Sequence, residues 1–187
     1  MSIKEALARC DKERADGIKA QLIKNIFGEG KMGITLTPLD YGDQHKLQAQ
    51  ALFLYDLLKE RDPAANISHK SLPPFFKHLE FINSKPYTVW NIIEYIDLDP
   101  TGTGGHTTTP IGSVYLTDRD EVGLFLSGGL QGLGYGKRAL KLFMEQNPRK
   151  AYYANISPRN DLSRSFFSAL GFKHIQNTFR MEVECAD

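Results

Sequence analysis

Five glycines fall within nine residues of the segment Glu121–Leu140, which reads EVGLFLSGGLQGLGYGKRAL. The apolar residues of 121–127 predict a strand, and the spacing from Gly136 predicts a helix that extends to Gln146. Glycines allow a backbone to approach a ligand closely, and the N–H groups and dipole at the start of a helix favour phosphate. The segment therefore predicts a strand, a loop and a helix arranged to bind a phosphorylated ligand.

Two common phosphate-binding patterns do not fit this segment. A Walker A loop needs Gly where this chain has Gln131, and Ser or Thr where it has Arg138. A dinucleotide-binding loop that starts at Gly132 needs a third glycine where Lys137 stands. The pattern that does fit is Gln-x-x-Gly-x-Gly, over Gln131–Gly136. This pattern resembles the acyl-CoA pyrophosphate loop of the Gcn5-related N-acetyltransferase (GNAT) superfamily.

A second segment adds to the resemblance. Asn160–Phe172 is similar to the family segment in which an Asn caps the helix after the fifth strand, beside the cofactor, and a Gly-Phe pair begins the sixth strand. Ile111–Leu116 and Thr35–Leu39 resemble the third and first strands of the family. The resemblance spans residues 33–184 loosely and is strongest over 111–172.

The resemblance implies a site for acetyl-CoA or CoA as cosubstrate. In the family the fourth and fifth strands, here 123–127 and 151–157, are parallel neighbours that splay apart around the pantetheine arm. The backbone at Leu126 is then expected to bond this arm and to face the thioester carbonyl, while the loop 131–136 holds the pyrophosphate. The residues that the resemblance places at the cofactor are Leu126, Ser127, Gln131, Gly132, Leu133, Gly134, Tyr135, Gly136, Lys137, Asn160 and Phe167.

The resemblance also implies direct acyl transfer to an amine, which must be neutral to attack. A lysine-like amine with a pKa of about 10.4 is less than about 0.1% neutral at pH 7, so such an acceptor needs a base. Glu121, within one residue of the family's strand-four carboxylate, is the first candidate, and Glu94 and a water are alternatives. The backbone N–H of Leu126 or Ser127 is the expected donor to the oxyanion.

The leaving CoA thiolate raises a separate question. Family members often protonate it with a Tyr in the helix after strand five, and this chain has Phe167 at that position. Tyr135 is the catalytic residue that we name for this role, with Tyr152, Tyr153 or a water as alternatives. A thiol with a pKa of about 8.5 is also a tolerable leaving group, and losing a general acid costs about 10²–10⁴ in rate. Phe167 is therefore also compatible with an alternative function, in which the protein binds CoA without turnover.

Composition indicates one globular domain. The chain has 187 residues, of which 41% are hydrophobic and 24% charged, and it has no apolar run of the roughly 18–20 residues that span a membrane. The N-terminus is charged and lacks a signal core, so we expect a cytoplasmic protein. The two cysteines and five scattered histidines provide neither a disulfide framework nor a metal site.

The net charge of +1 conceals two oppositely charged regions. Residues 131–180 carry nine Lys or Arg and two acidic residues, whereas the rest of the chain carries fourteen and twenty. The basic region coincides with the segment that resembles a CoA site. Residues 80–130 carry seven acidic and two basic residues. This distribution favours a cationic amine as the acceptor.

Helical spacing predicts an N-terminal helical extension over 1–30, which the resemblance does not cover, and the resemblance implies a GNAT-like acyltransferase domain over 31–187. The predicted fold class is α/β (α+β), with a mixed, mostly antiparallel central sheet, helices on both faces, and strands four and five parallel and splayed. Strands are predicted at 33–39, 87–97, 111–117, 121–127 and 151–157, with a final hairpin at 172–176 and 179–184. Helices are predicted at 44–60 after Asp43, from Ser71 to Ser84, at 136–146, and at 162–170 before Gly171, with a flexible connection at 101–110.

The favoured interpretation is an acetyl-CoA-dependent N-acetyltransferase that acts on an amine whose identity the sequence does not give. One alternative, motivated by Phe167, is a GNAT-fold protein that binds CoA as a sensor or structural ligand. Another, motivated by the basic region, is an acyltransferase directed to nucleic acid or the ribosome. The extension over 1–30 could pack on the sheet or form a homodimer, and no membrane contact is expected.

Overall fold

The structure is a computed structural model that describes residues 33–61, 71–97 and 107–178. The predicted extension over 1–30 and the hairpin strand at 179–184 lie outside those residues. The strands are β1 (Gly33–Pro38), β2 (Val89–Asp97), β3 (Thr107–Leu116) and β4 (Val122–Leu126). The helices are α1 (Gln44–Glu60), α2 (Phe75–Asn83), α3 (Tyr135–Gln146) and α4 (Asp161–Ala169). None of these helices is long and apolar enough to cross a membrane.

The four strands form one antiparallel sheet in the order β1-β2-β3-β4. The ladder between β2 and β3 is the longest, and its register shifts between Ile93 and Glu94, where Glu94 pairs with Pro110. A proline lacks the N–H that a regular ladder needs, so it is tolerated at such an irregularity. Together with the four helices, this sheet confirms the predicted fold class.

Helices cover both faces of the sheet, and each face has its own apolar core. Ile92 and Ile93, consecutive residues of β2, are 3% and 0% exposed and enter different cores, because successive strand residues point to opposite faces. Ile92 joins the core that α1 and α2 cover, here called the α1/α2 face. Ile93 joins the core that α3 and α4 cover, the α3/α4 face.

Two helix ends follow the local sequence as predicted. The side chain of Asp43 accepts hydrogen bonds from the N–H groups of His45 and Lys46 at 3.0 and 3.1 Å, so α1 begins directly after it. Gly171 has a φ of +91°, a conformation that ends α4 and that glycine adopts without strain. Each of these bonds and angles depends on residues only a few positions apart, which is why the sequence predicts them.

The prediction that Ser71 caps α2 is wrong. The helix begins at Phe75, with Pro74 at the N-cap position and no side-chain capping bond. A residue that precedes a proline is pushed out of the helical conformation. Because Pro73 and Pro74 are consecutive, the residues before each of them cannot form the first turn, and the helix starts after both.

Two other predicted boundaries also change. Thr107–Pro110, assigned to a flexible connection, forms the start of β3 and pairs with the end of β2, because its β-branched threonines suit a strand. Residues 101–106 lie outside the described part of the chain. The segment 172–176, predicted as a strand, is irregular in the structure.

The predicted fifth strand, 151–157, meets β4 at a single parallel bridge between Glu121 and Tyr153. The Val122 N–H donates to the Tyr153 carbonyl at 2.7 Å, and the Tyr153 N–H donates to the Asp120 carbonyl at 2.9 Å. After Tyr153 the described chain makes no further ladder bond to β4. The two segments are therefore parallel and splayed, as predicted, but the pairing is too short to be a strand of seven residues.

Candidate functional site

Strand β4 pairs with β3 along one edge, and its other edge faces a gap. The Ser127 N–H donates to the Ile111 carbonyl at 2.9 Å, so odd-numbered residues direct their main-chain groups toward β3. Alternate residues of a strand bond to alternate sides, so even-numbered residues point toward the edge that carries the Tyr153 bridge. The N–H and C=O groups of Leu124 and Leu126 thus face the gap, where no described residue bonds to them.

This alternation corrects one expectation and adds one residue. Ser127 was an expected donor to the oxyanion, but its N–H is already bonded to β3. Leu126 has the expected orientation. Leu124 has the same orientation and was missed, because the sequence does not show which edge of the strand is open.

A cleft runs through the gap from one face of the sheet to the other. Strand β4 forms one wall, 155–157 form the opposite wall, and α4 closes the α3/α4 face. Its lining comprises Arg61, Tyr115, Val122, Gly123, Leu124, Phe125, Asn155, Ile156, Ser157, Asn160, Ser163 and Phe167. The structure thus brings Asn160 and Phe167 to the open edge of β4.

The loop between β4 and α3 is shaped by three loop glycines, Gly129, Gly132 and Gly134, with φ values of +81°, +79° and +85°. Residues with a side chain rarely adopt this conformation. A Cβ atom at any of the three would meet nothing within 4 Å, so the space beside the loop is open. The glycines therefore allow the backbone to follow this course, and they leave the backbone accessible to a ligand.

The start of α3 faces this open space. Gly134 is its N-cap residue, no side chain caps the helix, and the first turn contains no acidic residue. The first N–H groups of a helix lack partners within it and attract anions. Gln131, Gly132 and Lys137 are exposed beside this turn. A helix start of this kind suits an anionic group such as a phosphate.

Gly136 and Leu133 have packing roles in the structure. A Cβ atom at Gly136 would lie 3.2 Å from the Phe166 ring and 3.4 Å from the Leu124 side chain. The glycine therefore lets the first turn of α3 pack closely against α4 and β4. Leu133 is half-buried and packs against the core of the α3/α4 face.

Tyr135 does not reach the cleft. Its side chain is 0% exposed, and its hydroxyl is buried without a hydrogen-bond partner among the described residues. The ring packs edge-on against Tyr95, with 6.2 Å between centroids, and burial raises the pKa of the Tyr135 phenol. The expectation that Tyr135 protonates a thiolate is therefore corrected, because α3 turns this side chain into the core.

The α4 wall of the cleft is built as the sequence predicts. The Asn160 side chain caps α4 by accepting a hydrogen bond from the Ser163 N–H at 2.9 Å. Phe167 is 7% exposed and packs edge-on against Phe166 and Phe172, with 5.1 Å between centroids. This wall therefore presents a phenyl ring to the cleft.

Glu121 lies at the closed end of the gap, on the α1/α2 face, where it bridges to Tyr153, and it is not among the residues that line the cleft. Its N–H donates to the Thr117 hydroxyl at 3.1 Å, and the same hydroxyl lies 3.5 Å from its carboxylate. Tyr152, an alternative acid, instead donates its hydroxyl to the Asn147 carbonyl at 2.6 Å. Tyr153 forms the bridge and is 46% exposed.

Three carboxylates of the acidic region 80–130 have partners of their own in the described part of the chain. Glu80 and Asp120 form ion pairs at 2.8 Å with Lys77 and Arg149, and Glu94 accepts a hydrogen bond from a threonine hydroxyl at 2.6 Å. None of these three residues is among those that line the cleft. No group of three or more His, Cys, Asp or Glu in the described ranges could hold a metal ion.

The end of α1 contributes two residues that were not predicted as site residues. The Glu60 carboxylate accepts a hydrogen bond from the Gly128 N–H at 2.8 Å, which fixes the start of the glycine loop. Arg61 follows and lines the cleft beside Tyr115. Both contacts join residues more than fifty positions apart, and no local motif marks them.

The sheet order, the two helical layers and the splayed bridge define an α/β fold that is known from acetyltransferases. A solved structure of the aminoglycoside N-acetyltransferase AAC(6')-Iy in complex with CoA is similar to this chain, with a TM-score of 0.54 and 16% identity, over 84% of this chain and 99% of that one. An acetyltransferase from Trypanosoma brucei aligns with a TM-score of 0.44 and 14% identity, over 82% and 100%. No protein-family model and no curated protein matches the chain.

Proposed function

We propose that the chain is an acyltransferase that transfers an acetyl group from acetyl-CoA to an amine. The observation that carries this proposal is the open edge of β4, where main-chain groups of Leu124 and Leu126 face the cleft. An extended ligand with amide groups can pair with such an edge as a strand does, and the pantetheine arm of CoA has this chemistry. The loop beyond the edge leads to the start of α3, which suits a diphosphate.

Two further observations support the same ligand. The similar aminoglycoside acetyltransferase was solved with CoA. Lys137, Arg138 and Lys141 are exposed on the first turns of α3, so positive charge lies beside the place proposed for the diphosphate. Arg149 is paired with Asp120, so only part of the basic region is proposed to serve the ligand.

The order of these elements determines how the ligand would be oriented along β4. With the diphosphate at 131–136, the reacting end lies farther back along β4, toward the bridge at Tyr153. In this arrangement the main chain of Leu126 binds the arm, and the Leu124 N–H donates to the carbonyl oxygen as it gains negative charge. Such fixed donors stabilise the transition state of acyl transfer. Acetyl-CoA supplies the acyl group, and its sulfur takes the electron pair of the broken C–S bond.

Glu121 is the proposed base. It lies three residues from Leu124 along the strand, a distance of about 10 Å, so its carboxylate would take the proton of the amine through an intervening water. Phe167 cannot donate a proton to the sulfur. A thiol with a pKa of about 8.5 can leave without a donor, so we propose that no phenol from α4 assists this step.

A second candidate function is CoA binding without turnover. The observation that favours it is Phe167, a buried phenyl ring in the cleft wall. Under this alternative the ligand would bind with the same contacts, and no amine would release thiol. The two candidates therefore differ in turnover and agree in binding.

Calorimetric titration with CoA, followed by a thiol-release assay with acetyl-CoA and a panel of amines, tests both candidates. We expect binding, thiol release above the blank, and loss of binding in Gly134→Glu, which places a carboxylate at the start of α3. Gln146→Glu adds the same charge at the exposed far end of this helix and should bind normally. Absence of binding at millimolar CoA would contradict both candidates, whereas binding without turnover would leave only the second.

A further inference from the structure

The two faces of the cleft differ in what can enter them. On the α3/α4 face, Val122 and Phe167 belong to the apolar core, and Leu124 packs against it. On the other face lie Arg61 and the ring of Tyr115. If the open edge of β4 binds the acyl donor, the acceptor must approach from the α1/α2 face. This opening is here called the acceptor side.

The wall of the acceptor side is aromatic and closely packed. A Cβ atom at Gly123 would lie within 2.5 Å of ring atoms of Tyr115, so this ring lies directly on the backbone of β4. Tyr115 stacks on Tyr87 with 3.9 Å between centroids and an angle of 11°. A ligand on this side therefore meets an aromatic surface at the point where β4 presents Leu124.

Among the described residues, Arg61 and Glu121 bring opposite charges to the neighbourhood of this surface. Arg61 lines the cleft at the end of α1, and Glu121 stands two residues before Gly123 on the same face. Burial raises the pKa of the Tyr115 phenol, the positive charge of Arg61 opposes this rise, and Glu121 adds to it. Both charges thus act on the same phenol.

We propose that the acceptor is an amine that also carries a carboxylate, as a free α-amino acid does, and that Arg61 binds this carboxylate. The inference rests on the proposed function. A guanidinium can donate two parallel N–H bonds to a carboxylate, and the amine then lies toward Glu121 and the Leu124 N–H. A polycationic acceptor would bring positive charge against Arg61.

The transfer balances with these groups alone. The amine nitrogen forms a bond to the acyl carbon, the C–S bond breaks, and its electron pair leaves on sulfur. The proton that the nitrogen loses passes through water toward Glu121 and finally to the thiolate. The carboxylate held by Arg61 is unchanged, so it contributes to binding and orientation.

Matched acceptors test the proposal. Thiol release from acetyl-CoA is measured with the twenty standard L-amino acids, with the α-amide of each, and with spermidine and kanamycin as polycations. We expect at least one amino acid to exceed its amide by about 100-fold in kcat/KM, because the amide lacks the charge that Arg61 would bind. Arg61→Ala should remove this preference, chiefly through KM, and Arg61→Lys should retain part of it.

The CoA dissociation constant, measured without acceptor, distinguishes a failure of the proposed function from a failure of the carboxylate proposal. Arg61→Ala and Arg61→Lys should bind CoA within twofold of the parent, which also shows that they fold. If the parent does not bind CoA, the proposed function fails. If it binds CoA and no amine releases thiol, only the second candidate function stands. If another amine releases thiol but no amino acid does, if spermidine or kanamycin is preferred, or if Arg61→Ala keeps the acid-to-amide ratio, the carboxylate proposal alone is overturned.

Discussion

Two groups of glycines lie in adjacent parts of the molecule but are required for different reasons. One group lies in β3 and β4, and the other in the loop that follows β4. A Cβ atom at Gly112 would lie 2.5 Å from the Phe125 carbonyl oxygen, and one at Gly123 would overlap the Tyr115 ring. At the loop glycines, a Cβ atom would meet nothing within 4 Å, and the constraint is a φ near +80°. The strand glycines permit close packing, whereas the loop glycines shape an open backbone.

The same contrast separates the two edges of β4. Toward β3, main-chain groups such as the Ser127 N–H are bonded and the side chains are packed. Toward the gap, the main-chain groups of Leu124 and Leu126 have no described partner. The closed edge therefore contributes to the stability of the fold, and the open edge and the loop are proposed to bind the ligand. Substitutions at matched positions can separate the two contributions.

The largest effect is expected at Gly112 on the closed edge. Gly112→Ala forces a methyl group against the backbone of β4, and overpacking of this kind costs about 3 kcal/mol of unfolding free energy. Urea denaturation measures the loss. Gly42→Ala, in an exposed turn where a Cβ atom would lie 3.4 Å from the Asp40 carboxylate, is the control and should change little. Equal stability of the two variants would contradict the packing role of Gly112.

A smaller loss of stability, with a loss of binding, is expected at Gly134 in the loop. Gly134→Ala strains a left-handed residue by about 1 kcal/mol and places a methyl group in the space proposed for the diphosphate. We expect the CoA dissociation constant to rise about tenfold or more, which corresponds to about 1.4 kcal/mol.

Gly171→Ala is the matched control for Gly134→Ala. Gly171 has a φ of +91° and equally open surroundings, but it lies at the end of α4. It should lose similar stability and bind CoA normally. Equal CoA affinities in the two variants would remove the loop from the proposed site.

A gain of activity is expected on the open side at Phe167. Phe167→Tyr adds a phenol to the cleft wall, and we expect kcat to rise up to about tenfold if protonation of the thiolate limits the rate. Phe166→Tyr, on the neighbouring ring outside the cleft lining, should leave kcat unchanged. A fall in kcat in Phe167→Tyr with unchanged CoA affinity would argue against the proposal that residue 167 lies beside the leaving thiolate.

The smallest effect is expected at Tyr135 on the packed side. Tyr135→Phe removes a buried hydroxyl that has no described partner, so stability should change by less than about 1 kcal/mol and kcat by less than twofold. Denaturation and thiol release measure the two quantities. A decrease of 100-fold in kcat would restore Tyr135 as a proton donor.

The sequence predicts what short-range bonds determine. The cap at Asp43, the cap at Asn160 and the helix end at Gly171 each involve atoms within a few residues. The strand, glycine loop and helix over 121–146 are also local, so their order and approximate limits could be predicted. Ser71 shows the limit of this approach, because two following prolines override a favourable capping residue.

The remaining errors arise from long-range geometry. Whether Ser127 or Leu126 presents its N–H to the gap depends on the register with β3, and the direction of Tyr135 depends on how α3 rotates against the sheet. Glu60 and Arg61 reach the loop and the cleft only because α1 ends there. Strand pairing and helix packing fix these positions, and no single motif encodes them.

The most direct test of the open edge is amide hydrogen exchange along β4, measured residue by residue with and without CoA. The Ser127 amide, bonded to β3, should exchange slowly in both states. The Leu124 and Leu126 amides should exchange faster in the free protein and slow by at least about tenfold at saturating CoA, because the ligand would accept hydrogen bonds from this edge. If CoA binds and their exchange does not change, the open edge of β4 is not the site.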